Sequence, residues 1–140
     1  MKTKHILIVL VCTLSALCAK AQQQQPLTPE QEEKKLMEGI EKLVLNYEEN
    51  LNLEVWQTFY VDSILTHNYN AMSEETRKLA ENRVENYDLY VLITDKWEET
   101  TYEAFHKILD EKQWAKYLKS GAARAKKARD KRAEKREGKK

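Results

Sequence analysis

The chain has 140 residues, of which 41% are hydrophobic and 34% charged, and its formal net charge is +1 at pH 7. The near-neutral total hides an asymmetry: residues 22–115 contain 9 Lys and Arg against 20 Asp and Glu, whereas residues 116–140 contain 12 against 3. The length suits one domain, and the charge split indicates an interaction or solubility feature rather than a fold class.

Residues 1–21 have the features of a secretory signal peptide. A basic start precedes the apolar run Ile6–Leu17, which is too short to span a bilayer as a helix, and small residues then predict cleavage after Ala21. A lipoprotein signal centred on Cys18 is the alternative, but Leu17 is larger than such a signal favours. Cleavage would remove Cys12 and Cys18, which excludes disulfides and cysteine-based metal sites from the mature chain.

Residues 22–27 form a polar leader, and residues 28–119 are predicted to be an all-α domain. There is no Pro after Pro29 and no Gly between Gly39 and Gly121, and apolar residues recur at steps of three and four. Turns in this domain must therefore be made by Asn, Asp, Ser or Thr. The pattern predicts about four helices, over Pro29–Glu49, Leu53–Asn68, Ser73–Ile108 and from Glu111 into the tail.

The third predicted helix is the longest. Ser73 is a suitable N-cap, and acidic residues follow it in the first turn, where the helix dipole favours them. Asp95 and Glu98 offer a capping box that would break the helix. Unbroken, its roughly 35 residues would extend about 50 Å, whereas a compact domain of this size has a radius of gyration of about 14 Å. The mismatch favours an elongated helical hairpin whose core is completed in a homodimer.

A short polar motif opens the first predicted helix, Leu27-Thr28-Pro29-Glu30-Gln31. Thr28 is a good N-cap, Pro29 suits the first helical position, and Gln31 falls at the third. This arrangement predicts a capping box, in which the hydroxyl accepts from the third amide and the Gln side chain reaches back. The primary role predicted for this motif is therefore structural, as the start of a helix.

The motif returns twice further along the chain. In one copy Leu109 is followed by Asp110 as N-cap and by Gln113 at the third helical position, whereas in the other Leu53 and Gln57 are kept but Glu replaces the cap. Capping boxes and leucines are both common, so recurrence by chance is the alternative.

An exported, small, charged and all-helical chain with repeated motifs of this kind resembles the Spy/CpxP family of periplasmic proteins, whose mark is two LTxxQ motifs. The motif at Leu27 matches that pattern fully, the one at Leu109 departs at its second position, and the one at Leu53 departs further. The resemblance implies a periplasmic protein that forms a thin, cradle-shaped antiparallel homodimer of helical hairpins. It also implies an ATP-independent chaperone or envelope-stress protein that binds unfolded or partly folded proteins, with metal sensing in some relatives.

The residues give little basis for catalysis. After residue 21 there is no Cys, no Gly-rich phosphate loop and no nucleophile–His–acid arrangement at motif level, and paired acids are typical of solvated helix faces. His67 and His106 are far apart, no His-x3-His spacing occurs, and only Glu103 and His106 share adjacent turns. We therefore expect a non-enzyme without a cofactor or a metal site; a metal-responsive sensor is the lesser alternative.

Seven aromatic residues are candidates for binding unfolded proteins. Exposed aromatic side chains beside basic residues can hold such clients by apolar contact and charge, and a thin two-layer protein has too little interior to bury them all. For each single residue the alternative is packing within the hairpin or the dimer seam. The candidates are Trp56, Tyr60, Trp97, Tyr102, Phe105, Trp114 and Tyr117.

Residues 120–140 form a basic tail whose only apolar residue type is Ala, so a lone charged helix or a disordered segment is predicted. Binding to an anionic envelope surface or to one specific partner is the second functional hypothesis. A solubilising tail, or one folded back on the acidic body, is its alternative. Export argues against nucleic acid as a partner in the cell. The candidate side chains for an anionic surface are Arg124, Lys126, Lys127, Arg129, Lys131 and Arg132.

Overall fold

The computed structural model describes residues 27–138, so the predicted signal peptide and residues 22–26 of the leader lie outside the described part. Regular structure within residues 27–138 is entirely helical, which confirms the all-α prediction. The helices are α1 (Pro29–Leu51), α2 (Val55–Glu81), α3 (Tyr87–Ile108), α4 (Glu111–Tyr117) and α5 (Ala123–Glu137), and a π-helical turn (Leu118–Ala122) joins the last two. Across these residues, no helix combines the length and apolar character that a membrane span needs.

The chain divides into two structural units, residues 1–32 and 33–140. The described part of the first unit is the entry into α1, and the second unit contains the hydrophobic core. At the centre of that core is Phe105 of α3, whose ring centroid lies 5.3 Å from those of Tyr47 and Tyr117. Edge-on and tilted contacts of this kind add to the stabilisation from burial. The other buried apolar side chains are Ile40, Val44, Leu51, Val61, Leu65 and Leu109.

Helix α2 continues through the region where the sequence predicted a turn between Asn68 and Ser73. Asn68 is buried, and its side-chain Nδ2 donates to Thr101 Oγ1 of α3 at 2.9 Å, while Tyr69 packs against the core. Polar side chains that suggest a turn in the sequence are thus satisfied by the neighbouring helix. Ser73 lies inside α2, so its prediction as an N-cap is wrong.

The connection between α2 and α3 lies at residues 82–86 instead. Asn82 ends α2, and Arg83 adopts a left-handed backbone conformation with φ of 53°. Asn86 then caps α3, because its side-chain oxygen accepts the backbone N–H of Asp88 at 3.0 Å. The turn has no glycine and uses two asparagines, as expected, but its left-handed position is taken by Arg83 and it also contains Val84.

The predicted single helix from Ser73 to Ile108 is therefore wrong, and so is the suggested break at Asp95, which lies inside α3. The length of an unbroken third helix favours an elongated hairpin, and the break at residues 82–86 removes that support.

The basic tail is helical over Ala123–Glu137 and packs against α3. Gly121, at φ of 116°, lets the chain change direction before α5 begins, because a left-handed conformation is easily reached only without a Cβ atom. The sequence left a helical or a disordered tail open, and residues 123–137 are helical. The helix does not stand alone, because it packs against α3, as in the alternative of a tail folded back on the acidic body. Residues 139 and 140 lie outside the described part.

Candidate functional site

Two of the three recurring motifs meet in the fold through their glutamines. Gln57 at the start of α2 and Gln113 at the start of α4 are both buried. Gln57 Nε2 donates to Gln113 Oε1 at 2.6 Å, and Gln113 Nε2 donates to Gln57 Oε1 at 2.8 Å. The two side-chain amides therefore form a reciprocal pair between segments 56 residues apart in sequence.

The remaining hydrogen-bonding groups of the two amides are also used. Each side-chain oxygen accepts the backbone N–H of the residue at its own helix cap, from Glu54 at 2.9 Å in one motif and from Asp110 at 3.0 Å in the other. Each side-chain nitrogen donates to the carbonyl just before the opposite motif, at Ile108 over 2.9 Å and at Asn52 over 3.2 Å. An amide has two donors and two acceptor positions, so the pair is fully satisfied in a buried place.

The motif at Asp110 forms the complete capping box that the sequence predicted, since Gln113 N–H also donates to Asp110 Oδ1 at 2.8 Å. The motif at Leu53 also starts a helix, although Glu replaces the usual cap residue. Glu54 occupies the cap position, and its backbone N–H donates to the side-chain oxygen of Gln57. The Glu54 carboxylate accepts the indole N–H of Trp56 at 2.6 Å.

The motif at Leu27, the full match to LTxxQ, forms a local capping box. Thr28 N–H donates to Gln31 Oε1 at 3.0 Å, and Gln31 N–H donates to Thr28 Oγ1 at 3.3 Å. Both residues are exposed, as is Leu27. The chemistry predicted for this motif is confirmed, but its glutamine serves the start of α1 alone.

An apolar patch lies on the first turns of α2. Four side chains that follow one another at positions i, i+1, i+4 and i+5 are between 49% and 89% exposed; we call them the α2 patch, and they are Val55, Trp56, Phe59 and Tyr60. The ring of Tyr60 contacts those of Trp56 and Phe59 edge-on, with centroids 6.1 Å and 5.8 Å away. Two of the seven client candidates, Trp56 and Tyr60, are thus exposed as expected.

The other five aromatic candidates lie elsewhere. Phe105 and Tyr117 are buried in the core, so a surface role for them is wrong, and the reason is that their rings fill the space between α1, α3 and α4. Trp97, Tyr102 and Trp114 are half-buried. Val55 and Phe59 are not among the predicted surface residues, although their positions beside Trp56 and Tyr60 on one helical face indicate such a place.

One ion-pair cluster attaches α5 to α3 at Asp95. Arg132 and Arg136 of α5 both donate to the Asp95 carboxylate, the second at 2.9 Å, and the Asp95 side chain is only 8% exposed. Burial acts to raise the pKa of Asp95, but the hydrogen bonds and charges of the two guanidinium groups outweigh it. The net effect holds the pKa of this carboxyl below its ordinary value.

A second cluster surrounds Arg129, which is 6% exposed. Its Nε donates to Glu99 Oε2 at 3.1 Å, and its Nη1 donates to Glu98 Oε2 at 3.2 Å. Lys126 also pairs with Glu99, at 3.2 Å, and with Asp130. The acidic face of α3 therefore neutralises one face of the basic tail.

Three of the six candidates for an anionic surface remain available after this pairing. Arg124, Lys127 and Lys131 are exposed, and their spacing of three and four residues places them on one face of α5. Lys126, Arg129 and Arg132 are engaged with carboxylates instead.

The two histidines of residues 27–138 contact aromatic rings. The His67 ring centroid lies 6.0 Å from that of Trp97, and the His106 ring lies 4.4 Å from that of Trp114. Within the same residues, no group of three or more His, Cys, Asp or Glu side chains is placed to hold a metal ion.

No protein-family model, curated protein or solved structure matches the chain. The Spy/CpxP resemblance is accordingly carried by the motif residues themselves, and it stays a prediction.

Proposed function

We propose that this chain is a periplasmic, ATP-independent chaperone-like or envelope-stress protein that binds partly unfolded proteins. The observation that supports this proposal is the α2 patch, in which three aromatic rings and a valine share one exposed face. Contiguous exposed apolar surface is uncommon on soluble proteins and often marks an interaction site. Partly unfolded proteins expose the apolar side chains that such a surface can cover.

Acidic side chains near the patch favour clients with basic character. The Glu54 carboxylate accepts a hydrogen bond from Trp56, and in the lining of the groove beside Val55 and Phe59 the acids Glu38, Glu41 and Asp62 outnumber the one base, Lys34. Complementary charge raises the association rate and contributes selectivity more than affinity. We therefore expect segments that combine apolar and basic residues to bind better than acidic ones.

An aggregation assay tests the proposal. A denatured client is diluted in the presence of the wild-type chain, of the Phe59→Ser/Tyr60→Ser variant and of Tyr87→Ser, and light scattering is followed. Tyr87 is 76% exposed but lies on α3, outside the patch, so it is a matched control. We expect suppression of scattering by the wild type and by Tyr87→Ser, and loss of most of it in the patch variant. Equal suppression by all three chains, or none by the wild type, contradicts the proposal.

The second candidate function is attachment to an anionic envelope surface or to one specific partner through the tail. The exposed face of α5 with Arg124, Lys127 and Lys131 favours it, since basic residues near an anionic lipid surface each add to binding. Sedimentation with vesicles that contain anionic lipid tests it. The variant Lys127→Glu/Lys131→Glu should no longer bind the vesicles but should still protect clients from aggregation. Unchanged vesicle binding in this variant argues against the tail as the attachment site.

A further inference from the structure

Helix α5 carries basic residues on two opposite faces. Eight of its fifteen residues are Lys or Arg, against three Asp or Glu. Four of the basic residues follow one another at steps of three and four on the face that pairs with α3, and they are Lys126, Arg129, Arg132 and Arg136. The other four lie at similar steps on the opposite, exposed face, and they are Arg124, Lys127, Lys131 and Lys135. Helix α3 therefore pairs with only half of the basic residues of α5.

The paired face of α5 also covers aromatic side chains of α3. The Nζ of Lys126 lies 6.0 Å and the Cζ of Arg129 lies 5.7 Å from the centroid of the Tyr102 ring, so both cations lie over this ring. Ala125 and Arg129 line one side of a cavity of about 410 Å³, and Trp97 and Tyr102 are among the residues that line it elsewhere. Detachment of α5 would therefore uncover an aromatic surface.

The docked position of α5 is weakly held. The side chains of Glu98, Arg132 and Arg136 are between 36% and 48% exposed, and ion pairs with such exposure each contribute little stability. Docking also leaves the Nη2 of Arg129 enclosed without a hydrogen-bond partner among residues 27–138, and an unsatisfied donor costs free energy that hydration would restore. The chain can turn before α5 at Gly121, where φ is 116° and no atom would crowd a Cβ.

An anionic lipid surface would compete with α3 for the cations of α5. The docked helix presents four basic residues to such a surface, whereas the released helix presents all eight, and each basic residue near an anionic leaflet adds to binding. The surface would also repel the acidic part of the chain, since residues 22–115 contain 20 Asp and Glu against 9 Lys and Arg. A ligand that binds one of two states more tightly shifts the population towards that state. An anionic surface therefore favours the released helix.

We propose that α5 is a releasable cover, which leaves α3 when it binds an anionic lipid surface and thereby exposes Trp97 and Tyr102. This inference rests on the second candidate function, attachment through the tail, and adds what attachment does to the molecule. The α2 patch lies on a different helix. Release would therefore supply clients with a second aromatic surface only where the chain is attached.

Footprinting of the full chain by mass spectrometry tests the proposal on vesicles of phosphatidylglycerol and phosphatidylcholine in equal parts. Vesicles of phosphatidylcholine alone account for any binding through the apolar residues 6–17. Carbodiimide-activated amine coupling reports the exposure of the Asp95 carboxyl, which is 8% exposed while α5 is docked, and hydroxyl-radical oxidation reports that of Tyr102. We expect both modification rates to rise severalfold on the anionic vesicles alone. Glu103 and Tyr87 are exposed residues of α3, and their rates should change on neither.

Two variants separate attachment from release. Lys127→Glu/Lys131→Glu reverses charge on the exposed face, so it should lose both the binding to anionic vesicles and the rise in Asp95 modification. Arg132→Ala/Arg136→Ala removes both partners of Asp95, so it should show the raised Asp95 modification without any vesicle. This second variant fixes the signal that a released α5 gives.

Sedimentation of the same samples measures attachment, so the two hypotheses fail in different ways. Attachment to the anionic vesicles with unchanged modification of Asp95 and Tyr102 overturns the proposal and leaves the second candidate function standing. Absence of attachment overturns both. Equal rises on anionic and neutral vesicles also overturn the proposal, because they show that lipid charge does not release α5.

Discussion

At the scale of single residues, the glutamines of the two paired motifs each connect a helix start to a distant segment. Gln57 and Gln113 close their own caps and also bond to each other and to the loop before the opposite helix. A side chain at a helix start usually satisfies only local backbone groups. Here the same amides fix the start of α2 against the start of α4, so the repetition of the motif has a structural reason.

Replacing either paired glutamine should cost much more stability than replacing the unpaired one. Gln57→Ala or Gln113→Ala leaves buried donors and acceptors without partners, so each should lower the free energy of unfolding by about 2–3 kcal/mol. Gln31→Ala removes part of an exposed cap and should cost about 1 kcal/mol or less. Because the pair acts as a unit, the double variant should cost less than the two single losses added together. Urea denaturation measures all four, and equal losses for Gln31→Ala and Gln113→Ala would refute the paired role.

Asp95 should make the stability of the chain sensitive to acid. Its pKa in the folded state lies below the ordinary value because the hydrogen bonds from Arg132 and Arg136 outweigh burial, so its contribution is fully present above the ordinary pKa of about 3.9. As the pH falls below that value, the carboxylate takes up a proton and the contribution is lost. We expect the free energy of unfolding to fall more steeply between pH 5 and pH 3 in the wild type than in Asp95→Asn. Parallel pH profiles for the two chains would contradict this assignment.

At the scale of the helices, α5 is held by charge rather than by apolar area. Its residues pair with Asp95, Glu98 and Glu99 of α3, and Arg129 is the only buried residue of the helix. The sequence does contain the two partner faces, since arginines at 129, 132 and 136 lie at steps of three and four and the acids at 95, 98 and 99 lie within about one turn of α3. The absence of a hydrophobic face concealed them, because amphipathic patterns identify helices that dock by apolar burial.

A helix attached in this way should loosen in salt. Ion pairs that are partly exposed are screened as the Debye length falls from about 10 Å at 0.1 M to about 3 Å at 1 M salt. We expect amide hydrogen exchange in α5 to quicken between these two conditions, while the buried part of α2 keeps its protection. Arg132→Ala/Arg136→Ala should give fast exchange in α5 already at low salt, and Arg124→Ala, at an exposed position without a role in the pairing, should not. Salt-independent protection of α5 would show that packing, not charge, holds it.

At the scale of the whole molecule, the sequence predicted what depends on local chemistry and missed what depends on contacts between distant segments. The all-α class follows from composition and periodicity, and the capping boxes at Thr28 and Asp110 follow from residue order over four positions. The uninterrupted α2 could not be foreseen, because Asn68 is satisfied by Thr101, 33 positions away. The same holds for the amide pair of Gln57 and Gln113.

The α2 patch could be predicted only in part, because the number of aromatic residues depends on composition but their exposure depends on contacts between distant segments. Aromatic residues in excess of what a small core needs indicated that some would be exposed, and Trp56 and Tyr60 are. Which ones are exposed depends on the direction each helix faces. Phe105 and Tyr117 turn inward because α4 packs back on α1 and α3, and no local pattern carries that information.

The homodimer implied by the family resemblance is a prediction that concerns the α1–α2 groove, a surface formed by Met37, Leu45, Val55 and Phe59. Val55 and Phe59 also belong to the α2 patch, so a second copy and a client would compete for this surface. Leu45 is 57% exposed there, and the rim carries both signs of charge, with Lys34 at one side and Glu38, Glu41 and Asp62 around it. About a two-fold axis, every contact between two different residues occurs twice, so Lys34 of each copy can pair with an acidic residue of the other.

Mass determination by sedimentation equilibrium tests this prediction in full. We expect the wild type to have twice the mass of one chain, and Leu45→Glu to have the mass of a single chain, because a buried unpaired carboxylate in an apolar seam opposes association. Leu92→Glu places the same charge at a similarly exposed apolar position on α3 and should stay dimeric. A monomeric wild type contradicts the dimer directly, whereas a dimer that survives Leu45→Glu places the seam on another face and leaves the groove free for clients.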